Sequence, residues 1–67
     1  MKNKIKELRK SAKLSQEELA KLCYVTRQTI NAIENEKYDP TLQLAFSIAS
    51  VLNTTVDELF INEFTKN

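Results

Sequence analysis

Apolar residues recur along this chain at intervals of three and four, which is the spacing of residues on one face of a helix. Ile5, Leu8 and Ala12 follow this spacing and predict a first helix. Ser15 and Glu18 then form the Ser-x-x-Glu pattern of a capping box, in which each side chain accepts a hydrogen bond from the other residue's backbone amide. A second helix is therefore predicted to begin directly after Ser15.

The second predicted helix has Leu19, Leu22 and Cys23 on one apolar face. Ala20 lies on the side where the following helix must cross, and a small side chain there lets the two helix axes approach closely. The helical pattern breaks at Tyr24 and resumes almost at once. This connection is too short for two helices that pack in the ordinary antiparallel way.

Thr26 is a favourable N-cap for a third helix, whose buried positions are Ile30 and Ile33. Two short helices joined this tightly predict a helix-turn-helix over residues 16–35. The outward-facing residues of the third helix are Arg27, Gln28, Thr29, Asn31 and Ala32. Because Arg matches guanine, Gln or Asn matches adenine and a Thr methyl matches thymine, this face is predicted to contact a DNA major groove.

A fourth and a fifth helix follow a polar turn at residues 36–40. Thr41 is the predicted N-cap of the fourth helix and Asn53 its left-handed C-terminal residue, while Thr55 and Glu58 form a second capping box that starts the fifth. The fourth helix has a broad apolar stripe, which indicates a central position; its members are Leu42, Leu44, Ala45, Ile48, Ala49 and Leu52. All 67 residues are thus predicted to form one compact, all-α domain of five helices.

The C-terminal tail, residues 60–64, has more apolar surface than so small a chain readily buries. Two alternatives remain open. The tail folds back on the core, or residues 55–65 form a symmetric dimer contact with help from Phe46 or Val51. The second alternative predicts an interface that contains Leu59, Phe60, Ile61 and Phe64.

Size and charge add to this picture. A chain of 67 residues is near the lower limit at which one core suffices, so we expect association to stabilise it. The net charge is only +1, yet residues 1–13 hold six Lys or Arg against one Glu, and the chain from residue 34 onward is acidic. This polarity suits a protein that presents one face to phosphates; the alternative is an ordinary solvated, lysine-rich helix.

Several classes of function are disfavoured by what the sequence lacks. It has no His for proton transfer, no Gly-rich phosphate loop, and one Cys without a partner for activation or metal binding, so we expect no enzyme, cofactor, metal or small-molecule ligand. Cys23 is interpreted as a small buried hydrophobe rather than a reactive thiol. The sequence shows no signal peptide and no apolar run of bilayer length, which predicts a cytoplasmic protein without a membrane partner.

The runs SQEELAKL, VTRQTINAIEN, KYDPTLQLAFSIASVLN and VDELF occur in this order between Ile5 and Phe60. In order and spacing they resemble the lambda-repressor-like helix-turn-helix family, which includes Cro and the XRE-type regulators. The whole chain also resembles small cytolysin-repressor-like members of this family, and that resemblance implies that an extended C-terminal segment, a short β-strand, pairs with the N-terminal residues. One departure is Tyr24, where the family often has Gly.

The resemblance also implies roles for individual residues. Gln28 and Arg27 match base-reading positions at the start of the third helix, and Asn31 lies one turn further along. Arg9 and Glu34 match a structural ion pair between the first and third helices. Phosphate contacts are expected from Gln16, Thr29, Asn35, Lys37 and Tyr38, with the family match most direct for Gln16 and Asn35.

These expectations together predict a sequence-specific transcriptional regulator. We expect a repressor that binds a double-stranded, inverted-repeat DNA operator as a homodimer and takes any regulatory signal from a partner protein. The alternative is an antitoxin-like or adaptor module that binds proteins first and DNA second. A recognition face of Arg, Gln, Thr and Asn favours the regulator, since a pure adaptor more often has an acidic or apolar face there.

Overall fold

A computed structural model describes residues 1–61 and shows five helices. Their bounds are α1 Ile5–Ser11, α2 Gln16–Leu22, α3 Arg27–Glu34, α4 Leu42–Val51 and α5 Val56–Leu59. The predicted all-α class and the order of helices are confirmed. Phe64, one of the predicted interface residues, lies outside the described residues. None of the helices within residues 1–61 has the length and apolar character to cross a membrane.

Hydroxyl side chains begin four of the helices. Ser15, Thr26, Thr41 and Thr55 each accept a hydrogen bond from the backbone amide three residues later. The capping box at α2 is complete, because the Glu18 carboxylate also accepts from the Ser15 amide at 2.8 Å. The box predicted at α5 forms only on the Thr55 side, since the Glu58 carboxylate accepts from the Thr54 hydroxyl at 3.1 Å instead.

Left-handed residues end the first four helices, although the chain contains no glycine. These residues are Lys13, Tyr24, Glu36 and Asn53, with φ between 57° and 63°. At each, the amide of the next residue donates to a carbonyl five residues back, as Val25 does to Ala20 at 3.0 Å. This is the Schellman arrangement, which satisfies helix-end carbonyls while reversing the chain direction.

The core lies between all five helices and is aliphatic at its centre. Its fully buried large side chains are Ile5, Leu19, Ile30, Ile33, Ile48 and Leu59. Ala20 is also buried, at the crossing of α2 and α3, as the sequence predicts. Two long apolar residues assigned to buried faces are exposed instead: Leu22 by 54% and Leu42 by 68%.

Helical geometry explains both corrections. The buried face of α2 is formed by Leu19, Ala20 and Cys23, and at about 100° per residue Leu22 lies roughly a quarter-turn beyond its centre. Leu42 is the first residue of α4, at the end of the helix, and lies at the edge of the face formed by the buried residues that follow it. The period alone therefore predicts too wide a buried face at helix ends.

Residues 59–61 fold back onto the N-terminal segment. Asn3 and Phe60 form an antiparallel bridge, flanked by hydrogen bonds from the Lys4 amide to the Leu59 carbonyl and from the Ile61 amide to the Lys2 carbonyl. Leu59 is fully buried and Phe60 is only 7% exposed. Their prediction as dimer contacts needs correction, because the chain's own core already covers both side chains, whereas Ile61 is 42% exposed.

Candidate nucleic-acid interface

The first turn of α3 presents two exposed side chains to the surroundings. Arg27 and Gln28 directly follow the Thr26 cap, and neither side chain hydrogen-bonds to another residue within the described 1–61. The opposite side of the same helix is fixed in the core by Ile30 and Ile33. α3 is therefore firmly seated, with its predicted base-reading residues pointing away from the protein.

Thr29 is held close to the cap of the same helix. Its hydroxyl lies 3.0 Å from the Thr26 hydroxyl, while its backbone amide donates to that same oxygen at 3.2 Å. The Thr29 side chain is only half-buried, so its hydroxyl keeps access to solvent and to a phosphate.

An ion pair joins α1 to the end of α3. The Nε atom of Arg9 donates to Oε2 of Glu34 at 2.7 Å, and Nη2 donates to Oε1 at 3.3 Å. The side chains are only 9% and 3% exposed, and Nη1 of Arg9 donates to the Leu14 carbonyl at 2.9 Å. The structure thus brings together the two residues that the family resemblance pairs.

Three surface amides continue from this pair toward solvent. Nε2 of Gln16 donates to Oε1 of Glu34 at 3.0 Å, Nδ2 of Asn31 donates to Oε1 of Gln16 at 3.4 Å, and Nδ2 of Asn35 donates to Oδ1 of Asn31 at 3.2 Å. We call Arg9, Glu34, Gln16, Asn31 and Asn35 the amide relay. It links a buried charge to side chains predicted to contact DNA.

The relay is the feature that sequence reasoning missed. The sequence predicts a phosphate contact for Gln16 and a base contact for Asn31, with no contact between the two, whereas the structure connects their side chains directly. They are 15 residues apart, on helices that cross. The sequence does show a polar residue at the start of α2, Gln16, and a polar residue in the middle of α3, Asn31. Only the way in which the two helices cross shows that these side chains meet.

The N-terminal segment contacts the end of α3 and the loop that follows it. The amino group of Met1 lies 3.0 Å from the Asp39 carboxylate, and Nδ2 of Asn3 donates to the Ile33 carbonyl at 2.9 Å. Lys37 and Tyr38 lie in this loop with exposed side chains, and the Lys37 amide closes α3 by donating to Ala32. Both residues therefore follow the end of α3 opposite to Arg27.

An open groove lies between the turn after α2 and the side of α4. Its walls include Tyr24, Tyr38 and Ser47, and its floor includes the buried Cys23. Burial raises the pKa of the Cys23 thiol, which disfavours the reactive thiolate. Within residues 1–61, no three His, Cys, Asp or Glu side chains are grouped closely enough to hold a metal ion.

Comparison with known proteins gives a consistent result. The sequence profile of the helix-turn-helix family matches residues 5–59. The chain is 52% identical over 63 residues to a protein of Methanocaldococcus jannaschii named as an uncharacterized HTH-type transcriptional regulator, covering 94% of this chain and 96% of that protein. Proteins of the same description from Archaeoglobus fulgidus and Bacillus subtilis are 46% and 45% identical, over 91% and 90% of this chain and 86% and 91% of theirs. The chain therefore belongs to the helix-turn-helix family of the Cro/XRE type.

Proposed function

We propose that this protein is a sequence-specific transcriptional repressor that binds an inverted-repeat operator as a homodimer. The observation that supports DNA binding most strongly is the two-sided character of α3. Ile30 and Ile33 hold one side of the helix in the core, while Arg27 and Gln28 project from its first turn. Side chains at that end of a recognition helix reach furthest into a major groove.

The proposed contacts divide into two classes. Gln28, Arg27 and Asn31 are the proposed base-reading residues, with Gln28 the foremost candidate, since their side chains match the hydrogen-bonding edges of adenine and guanine. The phosphates of the DNA backbone are contacted by Gln16, Thr29, Asn35, Lys37 and Tyr38. All five have side chains at least partly exposed to solvent, as phosphate contacts require.

Similarity to named regulators supports a role in transcription. The relatives from three genera are described as HTH-type transcriptional regulators and are nearly the same length as this chain. A DNA-binding domain that occupies a promoter excludes polymerase from it. Repression is therefore the mode we propose.

The proposed homodimer places two α3 helices about 34 Å apart, in successive major grooves. Two exposed apolar side chains are available for the contact: Ile61 beside the N-terminal bridge and Phe46 on α4. Sedimentation of Phe46→Asp and Ile61→Asp tests this surface. We expect both variants to shift toward monomer, and Gln43→Asp, at a neighbouring exposed position on α4, to sediment like the parent. A monomeric parent would refute the dimer.

Selection from a random DNA pool tests the function itself. We expect the recovered sites to be inverted repeats whose half-sites are separated by about one helical turn. Fluorescence anisotropy then compares the recovered site with a scrambled duplex of equal length and composition. Binding to neither duplex at low salt would refute the proposal and favour the adaptor alternative.

A further inference from the structure

The hydrogen bonds of the amide relay can run from donor to acceptor in only one direction. A carboxylate can only accept hydrogen bonds, so Gln16 must present its NH₂ group to Glu34. The Gln16 oxygen then lies on the other side and accepts from Asn31, and the Asn31 oxygen in turn accepts from Asn35. The charge on Glu34 therefore determines the orientation of three amides, the furthest of which is on the surface.

The ion pair holds the Glu34 carboxylate, at the buried end of the relay, in a fixed position. Arg9 holds the Glu34 carboxylate through both oxygens, which places Oε1 where Gln16 reaches it at 3.0 Å. Charge-assisted hydrogen bonds are stronger than those between neutral groups, so the Gln16–Glu34 bond is the firm link between the core and the surface. The bonds beyond it, at 3.4 and 3.2 Å, are longer and join neutral amides.

Amide orientation matters for recognition because a flipped amide exchanges its donor for its acceptor. Asn matches adenine when its oxygen accepts from N6 and its nitrogen donates to N7. An isolated surface Asn can rotate between this arrangement and the reverse. In the relay, Asn31 has one orientation, and it retains one hydrogen on Nδ2 and one lone pair on Oδ1 for a base.

We propose that Gln16 is a positioning residue for base recognition, and that it transmits the orientation of the buried Glu34 carboxylate to the Asn31 amide. This inference rests on the proposed function, because it assigns Asn31 a base. It gives the Arg9–Glu34 pair a role beyond joining two helices. It also gives Gln16 a role in specificity that a phosphate contact alone does not have.

Spectra of the DNA-free protein test the relay independently of DNA binding. The ¹H–¹⁵N signals of the Asn31 and Asn35 side-chain amides are recorded in the parent, in Gln16→Met and in Glu34→Gln. Gln16→Met keeps the side chain's length but removes both hydrogen-bonding groups. We expect both variants to shift the Asn31 and Asn35 side-chain signals, and Gln43→Met, at an exposed position on α4, to leave them in place. Unmoved Asn31 signals in Gln16→Met would refute the relay.

Binding measurements test its consequence. Asn31→Ala first identifies the operator position at which base preference is lost. At that position we expect Gln16→Met to lower the ratio of affinities for preferred and substituted base by about tenfold, within the range that one amide–base pair provides. Adding Gln16→Met to Asn31→Ala should lower the ratio no further, because the relay acts only through Asn31.

The outcomes separate this inference from its alternatives. If Gln16→Met weakens binding to preferred and substituted sites equally and reduces the salt dependence, Gln16 contacts a phosphate only and the positioning role is wrong. A lower melting temperature with an unchanged ratio would identify a purely structural role and also refute it. If no variant and no parent binds DNA, the proposed function fails and the base-positioning role fails with it, while the spectra still decide whether the relay exists.

Discussion

Tyr24→Gly is expected to stabilise the protein, which is unusual for the loss of an aromatic ring. Tyr24 has φ of 60° at the end of α2, in the left-handed region that disfavours residues with a Cβ atom. Its side chain is 95% exposed, so removing the ring exposes almost no buried surface. The substitution therefore changes backbone strain and leaves the packing intact.

The magnitude follows from two opposing terms. A non-glycine residue in the left-handed conformation costs roughly 1 to 2 kcal/mol. Glycine loses more conformational freedom on folding, which offsets about 0.5 to 1 kcal/mol of that gain. The expected net stabilisation is about 0.5 to 1 kcal/mol, or roughly 2 to 8 °C in melting temperature for a domain of this size.

Thermal and urea unfolding followed by circular dichroism measure this difference. Asn53→Gly is the matched control, since Asn53 has φ of 57° at the end of α4 and Asn tolerates that conformation well. Its gain should be smaller than that of Tyr24→Gly. Ser50→Gly, on the exposed side of α4, should be destabilising. If Tyr24→Gly unfolded at a lower temperature than the parent, the strain argument would be wrong and the exposed ring would have a stabilising contact.

Three further results are expected. Removing either Arg9 or Glu34 alone should cost about 3 to 5 kcal/mol by stranding a buried charge, whereas the double variant Arg9→Met/Glu34→Leu should recover most of that in urea unfolding. Because burial raises the pKa of the Cys23 thiol, the contribution of the neutral thiol to stability should be complete below about pH 9 and decline as pH rises further. Alkylation of Cys23 should be slow until the protein unfolds. Gln28→Ala should lower the preference for one base by about 1 to 3 kcal/mol. Lys37→Ala should instead weaken binding to all duplexes alike and reduce the slope of log affinity against log salt concentration by about one. The reverse pattern would mean that Lys37 reads the base and Gln28 contacts a phosphate.

Four helix starts were predictable from the sequence, and so were the breaks at Tyr24 and Asn53, but the left-handed ends at Lys13 and Glu36 were not. A Ser or Thr side chain caps a helix through a bond to an amide three residues away, so a local pattern is sufficient to locate Ser15, Thr26 and Thr41. At the other ends, Lys13 and Glu36 adopt a conformation that their own side chains disfavour. Backbone hydrogen bonds that close the helix impose it, and these leave no mark in residue type.

The same distinction holds at the candidate site. Exposure of Arg27 and Gln28 follows from the helical positions of Ile30 and Ile33, so the sequence predicts which residues of α3 face outward. The contact between Gln16 and other helices depends instead on the crossing of α2 and α3. A periodic pattern describes each helix separately and contains no crossing angle.

The C-terminal tail shows a third limit of sequence-based prediction. Its two alternatives, folding back on the core and forming a dimer contact, use the same apolar residues. Apolar content could not decide whether Leu59 and Phe60 cover the core or a second subunit. The backbone decides it: the Lys4 amide donates to the Leu59 carbonyl, and Phe60, with φ of −108° and ψ of 136°, is extended. Successive side chains in extended backbone point to opposite sides, so an inward Phe60 places Ile61 outward. A charge at Leu59 would therefore disrupt folding and report nothing about dimers, whereas a charge at Ile61 acts on the exposed side alone.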